Sequence, residues 1–431
     1  MATYFGTDGI RGEYGKSLTP QLAFSVGNAL TQIKQSPSVI IGCDTRVSSD
    51  ILLLSVCSGI LQGGGNAFSV KTIPTAGISY LSKDFDFGII ITASHNPAQY
   101  NGIKIFNNVG QKLNDEEEEH LEEFLSSSYM AAQCGRYIED ESLKQKYLDH
   151  LLSSTNTNLK NLKICLDASN GAGFEIAPLV FKKLGAETKI FNCTNNGKKI
   201  NDNCGCLFIE NLQKQVLKSE ADVGFAFDGD ADRVIAVDKN GDIFDGDKLL
   251  YILARHMQKN NSLNANSVVG TSQTNSGIAH ALNRNKINLI RTDVGDKYVI
   301  EAMQKMNLNL GGEQAGHIII KDFANTGDGI LTAIKICEIL KTENKTLSQF
   351  FDARLIPQIN KNIVVKDKIK VMNNEQLTNL INKIANDFEP SGRILVRASG
   401  TEEKVRIMLE HPDIEKSQKY CEELCNLILN I

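Results

Sequence analysis

The 431-residue sequence lacks several features that would place it in a special class of protein. It has no run of about 18 apolar residues, which argues against a membrane-spanning helix. Its formal net charge is −5, so bulk electrostatics do not favour binding to nucleic acid or to a membrane. The opening MATYFGTDGIRG has neither a basic segment nor an apolar core. We therefore expect no signal peptide and a cytoplasmic location.

The cysteines also lack the spacing of a metal site. Ten are present, and they are scattered along the chain. Cys204 and Cys206 form a C-x-C pair, and Cys421 and Cys425 lie four residues apart in a helical pattern. Neither arrangement is a paired set of zinc ligands, so the sequence predicts reduced thiols in a cytosolic protein.

The length and the alternation of strand and helix patterns predict several domains. With 42% apolar and 23% charged residues the composition is that of an ordinary globular protein, and the length suggests about two to four domains. Buried strands alternate with helices until about residue 360, where the pattern changes to α+β. We place the boundaries near 153, 248 and 362, which gives the domains 1–153, 154–248, 249–362 and 363–431. In the last of these we expect strands near 362–371 and a helix near 374–387.

A reactive serine is predicted in the loop TASHNP at residues 92–97. The loop follows a predicted buried strand at 87–91, where α/β proteins place reactive groups. Ser94 is not in a G-x-S-x-G elbow, so hydrolase chemistry is disfavoured. A lone loop serine usually makes only local hydrogen bonds. Here His95 and Lys104 lie close in sequence and could balance a phosphoserine, which carries about −1.5 to −2 charges.

An acidic run follows the predicted strand at 222–227: Asp228, Asp230 and Asp232. Three carboxylates at this spacing are tolerated only around a cation or in open water, and such oxygen ligands suit Mg²⁺. A calcium loop starting at Asp228 would need glycine and glutamate where the chain has Arg233 and Lys239. Apolar strands on both sides argue against a solvated turn, so the pattern predicts a metal site.

Three further loops combine glycine with polar residues. RASGTE at 397–402, with Arg406 beyond it, can cradle a phosphate and lacks the lysine pattern of a nucleotide P-loop. GGEQAGH at 311–317 offers groups for sugar hydroxyls and a histidine that can shuttle a proton. FGTDGIRG at 5–12 supplies one cation, Arg11. Each loop read alone could also be an exposed polar turn.

Taken together, the five loops resemble those of the α-D-phosphohexomutase superfamily, and the resemblance extends from Tyr4 to about Glu410. TASHNP, DGDADR, GGEQAGH and RASGTE occur in the family's order, one in each predicted domain. The opening YFGTDGIRG and the GGEQ form of the third loop look like the branch that acts on glucosamine phosphates. The resemblance implies an α/β fold in which three similar domains with mixed sheets and a smaller α+β domain surround a central cleft.

The resemblance also implies a role for each motif residue. Ser94 would carry the phosphoryl group and would hold one Mg²⁺ together with Asp228, Asp230 and Asp232. The charge on the transferring phosphoryl group would be stabilised by Arg11, His95, Lys104 and Arg233. Glu313 and Gln314 would bind the sugar, and His317 would lie near the reacting hydroxyl. The phosphate that is not reacting would be held by Arg397, Ser399, Gly400, Thr401 and Arg406.

The implied reaction is the interconversion of glucosamine 6-phosphate and glucosamine 1-phosphate. It would proceed through phosphorylated Ser94 and a glucosamine 1,6-bisphosphate intermediate, and its product would feed UDP-N-acetylglucosamine and cell-wall precursor synthesis. Such a transfer needs alignment, charge neutralisation and proton transfer, and Lys104 or His317 could serve the last. The implied partners are the small-molecule hexosamine phosphate and, by resemblance alone, a second copy in a homodimer.

The chain departs from the family pattern at three positions. Ala315 and Cys206 stand where serine is usual, and Glu403 stands where proline is usual. The first two bear on sugar preference, and none removes the phosphoryl carrier or a metal ligand. Three alternatives stay open: a mutase of the same superfamily acting on mannose or glucose phosphates, a non-catalytic sugar-phosphate sensor, and a phosphatase that uses the D-x-D loop. The presence of Ser94 and of all three aspartates argues against the sensor.

Overall fold

The computed structural model describes residues 4–6, 8–399 and 403–431. Within these ranges the chain forms four β-sheets, one in each of four consecutive segments. The first three sheets contain parallel and antiparallel pairs and carry helices, and the fourth is antiparallel. This arrangement confirms the predicted fold class. The boundaries near 153, 248 and 362 stay predictions.

The first segment is built on a seven-stranded sheet. Its strands are β1 (Phe5–Gly6), β2 (Gly9–Glu13), β3 (Ser38–Cys43), β4 (Asn66–Thr72), β5 (Phe87–Ile91), β6 (Tyr100–Asn107) and β7 (Tyr137–Glu139). Its helices are α1 (Pro20–Ile33), α2 (Ser49–Gln62), α3 (Thr75–Leu81), α4 (Asp115–Glu122) and α5 (Lys144–Ser153). The spatial order is β1-β2-β6-β5-β3-β4-β7. Because β3 and β5 are parallel neighbours, the loops that follow them emerge side by side.

The second and third segments repeat this design with smaller sheets. The second contains β8 (Lys163–Asp167), α6 (Ile176–Lys183), β9 (Glu187–Phe191), α7 (Ile209–Ser219), β10 (Val223–Phe227), β11 (Val234–Asp238) and β12 (Ile243–Phe244). The third contains α8 (Gly246–Lys259), β13 (Ser267–Thr271), α9 (Ser276–Arg284), β14 (Asn288–Thr292), α10 (Asp296–Lys305), β15 (Leu310–Gly312), β16 (Ile318–Ile320), α11 (Gly329–Glu343) and α12 (Leu347–Phe350). Interior strands β10 and β15 end at the acidic loop and at the GGEQAGH loop, respectively.

The fourth segment differs in part from the sequence prediction. It contains β17 (Gln358–Val364), α13 (Lys368–Met372), α14 (Glu375–Phe388), β18 (Arg393–Ala398), β19 (Lys404–Glu410) and α15 (Ile414–Asn430). The prediction of strands up to residue 371 was wrong, because residues 368–372 form a helix. The Asp367 side chain accepts a hydrogen bond from the Lys370 amide and caps that helix. Local capping of this kind favours a helix over an extended chain.

Packing joins the first three segments and leaves the fourth with a core of its own. One hydrophobic core contains buried residues from all three, among them Phe106, Phe225 and Ile334. A separate core lies between α14, α15 and the last sheet, with Ile384 and Leu424 fully buried. None of the described helices has both the length and the apolar character that crossing a membrane would require. The fourth segment is therefore attached to a body formed by the other three.

A buried carboxyl at the start of the third segment makes stability depend on pH. Asp247 lies in the first turn of α8 and is only 1% exposed. Burial, and then the neighbouring carboxylate of Asp245, raises the pKa of Asp247 to about 7. Because this value exceeds that of an unfolded aspartate, the folded state retains a proton that the unfolded state loses. The stability that this group contributes is therefore lost as the pH rises towards 7.

We predict that Asp247→Asn, which cannot ionise, raises the melting temperature by several degrees at pH 8 and by less at pH 5. Asp242→Asn is the control, because Asp242 is exposed. It should change the melting temperature little at either pH. Thermal denaturation of the three proteins at both pH values measures the effect. A difference between Asp247→Asn and the wild type that stays the same at both pH values would contradict the assignment.

Candidate active site

Ser94 lies just beyond the end of β5 and is fully buried. Its φ is +50°, in the left-handed region that serine rarely adopts. Its hydroxyl donates a hydrogen bond of 2.6 Å to Asp228 Oδ2, and His95 Nδ1 lies 3.3 Å from Ser94 Oγ. The structure therefore brings together the serine of the first segment and the first aspartate of the second, as two predicted sites that become one.

The three aspartates form a buried cluster. One carboxylate oxygen from each of Asp228, Asp230 and Asp232 lies within 4.8 Å of the others. Among the described residues, neither Oδ1 of Asp230 nor Oδ1 of Asp232 has a hydrogen-bond partner, and Arg233 Nε lies 3.9 Å from Oδ1 of Asp232. Burial, and then the two neighbouring carboxylates, raise the pKa of Asp228 well above its usual value. The cluster has the features of a divalent-cation site. Its ligands are hard oxygens, its carboxylates repel one another unless a cation lies between them, and two of its buried oxygens have no hydrogen-bond partner.

Lys104 places a positive charge directly against this cluster. Its ammonium lies 2.9 Å from Asp230, 3.4 Å from Asp232 and 3.1 Å from Asp8. Burial alone would lower the pKa of Lys104, but the surrounding carboxylates raise it above its usual value. Lys104 is therefore a cation in this arrangement, and it can donate a proton but cannot accept one.

A second charged network behind Lys104 was not predicted from the sequence. Asp8 pairs with Arg11 and Lys112 as well as with Lys104. Burial opposes ionisation, yet these cations hold the pKa of Asp8 well below its usual value. Lys112 also pairs with Asp296 at the start of α10, which joins the first and third segments. The available sequence signal for this network was the position of Asp8 in the opening motif, three residues before Arg11.

The Arg233 charge acts on His95, the residue that follows Ser94. Because the Arg233 charge, burial and the Arg11 charge disfavour a second cation, the pKa of His95 is lowered to about 2. His95 is therefore a neutral partner of the Ser94 hydroxyl in this structure. The Nε–H groups of Arg11 and Arg233 are buried and have no acceptor among the described residues. These two spare donors suit an anion such as a phosphoryl group.

His317 is fixed by contacts at both ring nitrogens. The Gly327 amide donates to His317 Nε2 at 3.0 Å, and Nδ1 lies 3.6 Å from Asp232. A neutral ring that carries its proton on Nδ1 satisfies both contacts. The predicted sugar-loop histidine therefore lies against the acidic cluster. A cavity of about 130 Å³ opens beside it and is also lined by Lys112 and Asp296.

The other sugar-loop residues lie between this cluster and the fourth segment. Glu313 accepts a hydrogen bond of 3.1 Å from the Gly295 amide, and burial raises the pKa of Glu313. Gln314 donates to the Gln358 side chain at 3.2 Å, at the start of β17. Cys206, which stands where the family usually has serine, is half-buried. Its thiol is directed at the Ala226 carbonyl, 3.0 Å away.

The predicted phosphate cradle is a separate group in the fourth segment. Arg397 is the penultimate residue of β18, and Arg406 lies opposite it on β19. Burial, and then the charge of Arg406, lower the pKa of Arg397. Arg406 also donates to the Ser399 hydroxyl at 3.4 Å. Two guanidinium groups that face each other on paired strands are typical of an anion site.

Two of the predicted cradle residues, Gly400 and Thr401, lie outside the described residues.

Arg46 supports the Ser94 loop and was also missed. Its guanidinium group is fully buried and pairs with Asp44 at 2.8 Å. Its remaining N–H groups donate to the carbonyls of Ser94, Asn96, Pro97 and Tyr100. A polar Asp-Thr-Arg run directly after the buried strand β3 was the available signal. This run indicates a support for the Ser94 loop only when β3 and β5 are known to be neighbouring strands.

Models of one family match four consecutive parts of the chain. They are described as phosphoglucomutase/phosphomannomutase alpha/beta/alpha domains I, II and III and as the C-terminal domain, and they match residues 2–131, 145–241, 245–356 and 361–427. The phosphoglucosamine mutase of Caldanaerobacter subterraneus subsp. tengcongensis is 42% identical over 442 residues, which cover 99% of this chain and 99% of that protein.

Two solved structures are similar in fold. A phosphoglucomutase/phosphomannomutase family protein from Burkholderia thailandensis has a TM-score of 0.83 and 23% identity, covering 99% of this chain and 98% of that one. The N-acetylphosphoglucosamine mutase of Aspergillus fumigatus, solved in complex with GlcNAc-6P and magnesium, has a TM-score of 0.72 and 17% identity, covering 99% of this chain and 96% of that one.

The close approach of two loops gives a test of the site's packing. A Cβ added at Gly229 would lie 2.5 Å from the Ser94 carbonyl oxygen and 2.8 Å from Asn201 Nδ2. We predict that Gly229→Ala separates these loops at a cost of about 1–3 kcal/mol, typical of overpacking. Gly173→Ala is the control, because its Cβ would meet nothing closer than 3.2 Å. Thermal denaturation measures both, and equal melting temperatures for the two variants would contradict the packing described.

Proposed function

The chain belongs to the phosphoglucosamine mutase family of phosphohexomutases, and we propose that it moves a phosphoryl group on and off Ser94. It is an isomerase that interconverts glucosamine 6-phosphate and glucosamine 1-phosphate, a step toward UDP-N-acetylglucosamine and cell-wall precursors. The observation that carries the mechanism is the 2.6 Å hydrogen bond between the buried Ser94 hydroxyl and Asp228. It supports Ser94 as the carrier, at the edge of the carboxylate cluster that we propose holds a cation.

In the first half-reaction, phosphorylated Ser94 donates to the 6-phosphate sugar. The free anomeric hydroxyl oxygen forms a bond to phosphorus, the bond from phosphorus to Ser94 Oγ breaks, and the hydroxyl proton ends on Ser94 Oγ. The Nε–H groups of Arg11 and Arg233 lack hydrogen-bond acceptors among the described residues, so they are available to the charge that moves. Lys104 is protonated, and its positive charge can stabilise the departing Ser94 oxygen. Charge stabilisation of this kind is the main requirement of phosphoryl transfer.

In the second half-reaction, glucosamine 1,6-bisphosphate presents its other phosphate to Ser94. The intermediate must turn over inside the cleft, so the phosphate that is not reacting needs a holder that accepts either end. We assign this task to Arg397, Ser399, Gly400, Thr401 and Arg406. Glu313 and Gln314 bind the sugar between the two phosphates, with His317 near the reacting hydroxyl. The cradle lies on a segment with its own core, which supports the proposal that it holds the phosphate that is not reacting.

We propose that Ser94, Asp228, Asp230 and Asp232 hold one Mg²⁺. When bound, this ion neutralises charge on the phosphoryl oxygens and polarises phosphorus. The two carboxylate oxygens that lack partners among the described residues support the assignment. The Aspergillus fumigatus structure contains magnesium, which also supports it.

The location and the assembly state of the protein are inferred from its cysteines and from the family resemblance. We propose a cytoplasmic location, and the ten cysteines, all free thiols in the structure, fit a reducing compartment. The homodimer stays a prediction from resemblance. The four domains with boundaries near 153, 248 and 362 stay a prediction from the pattern of strands and helices.

The carrier is tested by Ser94→Ala. We predict that this variant loses at least about 1,000-fold in turnover of glucosamine 6-phosphate, because covalent transfer has no substitute in the cleft. Ser169→Ala is a matched control, since Ser169 is also fully buried and also has a left-handed backbone, with φ of +51°. It should retain turnover within a few-fold. Formation of glucosamine 1-phosphate in the presence of Mg²⁺ is the measurement.

The same assay separates the open alternatives. Equal activity in Ser94→Ala and the wild type would overturn the phosphoserine mechanism. A wild type that converts mannose or glucose 6-phosphate faster than glucosamine 6-phosphate would move the protein to a sister branch. Net release of inorganic phosphate in place of an isomer would indicate a phosphatase.

The metal assignment is tested without the reaction. We predict that millimolar MgCl₂ raises the melting temperature of the wild type, because a ligand that binds only the folded state stabilises it. Asp230→Asn should remove most of this increase, because it withdraws a buried charged ligand. Asp242→Asn, an exposed carboxylate in the next turn, should keep it. An increase that is the same in all three proteins would place Mg²⁺ elsewhere.

A further inference from the structure

We propose that Arg46 and Asn201 are positioning residues that fix the direction in which Ser94 presents its phosphoryl group. They do so by holding the Ser94 carbonyl from two different segments of the chain. The inference rests on the proposed function, because it concerns the alignment of the same carrier. Neither side chain contacts the Ser94 hydroxyl, so both act through the backbone.

Arg46 supplies one side of this support. Its Nη2 donates to the Ser94 carbonyl at 2.9 Å and to the Asn96 carbonyl at 2.7 Å. Its Nε donates to Asp44 at 2.8 Å, and Asp44 also accepts from the Thr92 hydroxyl at 2.8 Å. A guanidinium group that is fully buried and whose donors all have acceptors has a single orientation. The loop is thereby tied to the neighbouring strand end.

Asn201 supplies the other side, from the segment that carries the aspartates. Its Nδ2 donates to the Ser94 carbonyl at 2.8 Å and to the Asn96 carbonyl at 3.0 Å. The same two carbonyls therefore receive donors from both segments. Asn201 itself has a left-handed backbone, with φ of +57°, and is 8% exposed. The carrier loop is thus held relative to Asp228, and not only relative to its own sheet.

These contacts determine where the Ser94 hydroxyl lies. The Ser94 amide donates to the Thr92 hydroxyl at 3.0 Å, so both peptide groups of this residue are fixed. A serine with φ of +50° would relax to a more common conformation without such support. That relaxation would rotate Cβ and move Oγ away from Asp228. An in-line transfer is sensitive to such movement, since a misplacement of ~1 Å can cost roughly 100-fold in rate.

Misalignment of phosphorylated Ser94 would change the ratio of the two products, whereas a loss of folded protein would not. Phosphorylated Ser94 can donate to the sugar or to water. With water, the water oxygen bonds to phosphorus, the bond from phosphorus to Ser94 Oγ breaks, and a proton passes to Oγ, which gives inorganic phosphate. Transfer to the bound sugar needs alignment, whereas water can approach from many directions. A misdirected carrier therefore raises the ratio of inorganic phosphate to glucosamine 1-phosphate, and a smaller folded fraction leaves that ratio unchanged.

The test uses Asn201→Gly in the full-length protein, with Mg²⁺, glucosamine 6-phosphate and glucosamine 1,6-bisphosphate present. Glycine keeps the left-handed backbone and removes the whole side chain, including the amide group that donates to the Ser94 carbonyl. Asn203→Gly is the matched control, since Asn203 has φ of +52° and its side chain bonds only to Asp202 among the described residues. We expect kcat of Asn201→Gly to fall by about tenfold to 100-fold. KM should stay within about twofold, and the phosphate-to-product ratio should rise at least fivefold.

Arg46→Lys is the second variant, because it keeps the charge beside Asp44 and loses the fork that reaches both carbonyls. It should show the same rise in the phosphate-to-product ratio, whatever its melting temperature. Wild-type kcat and ratio in Asn201→Gly would overturn the inference, as would a fall in kcat with an unchanged ratio in both variants. A wild type that forms no glucosamine 1-phosphate would instead overturn the proposed function.

Discussion

Repulsion among three buried aspartates is the constraint on which the cleft depends. Their oxygens lie within 4.8 Å of one another in a part of the structure that excludes water. Such an arrangement is stable only if positive charge is brought close to it. Lys104 from the first segment and Arg233 from the second provide that charge in the structure, and a divalent cation fits the oxygens that remain. The segments are therefore held together by a polar requirement as well as by the shared hydrophobic core.

The same requirement explains how the charges around Ser94 are divided. Lys104 and Lys112 are held in place by Asp8 and Asp296, so they form a network that links the first and third segments. Arg11 and Arg233 keep donors free for an incoming anion, and His95 stays neutral because Arg233 lies near it. In this site the lysines are paired with carboxylates, whereas the arginines keep donors available for a phosphoryl group. Distance from the aspartates alone would not distinguish the two groups of cations.

The fourth segment is organised differently from the other three. It has its own core, and its arginine pair is separated from the aspartates. Its connection to the body is polar: Arg393 pairs with the fully buried Glu410, which also accepts from the Ser276 amide of the third segment. Gln358 links the same carboxylate to Gln314 of the sugar loop. The sheet that carries the predicted cradle and the sugar loop are therefore joined by one chain of hydrogen bonds.

The sequence by itself determined the four-part α/β and α+β organisation, the serine and aspartate loops, and the roles that the resemblance assigned to them. Strand periodicity and short loop motifs are local, so they can be read without coordinates. It did not determine Asp8, Arg46, Lys112, Asn201 or Asp296, which act through partners on other strands or in other segments. Asn201 is 107 residues from the Ser94 carbonyl that it holds, and Lys112 is 184 residues from Asp296. Only the tertiary structure decides such pairs, because the packing of sheets brings together residues whose local sequences carry no record of each other.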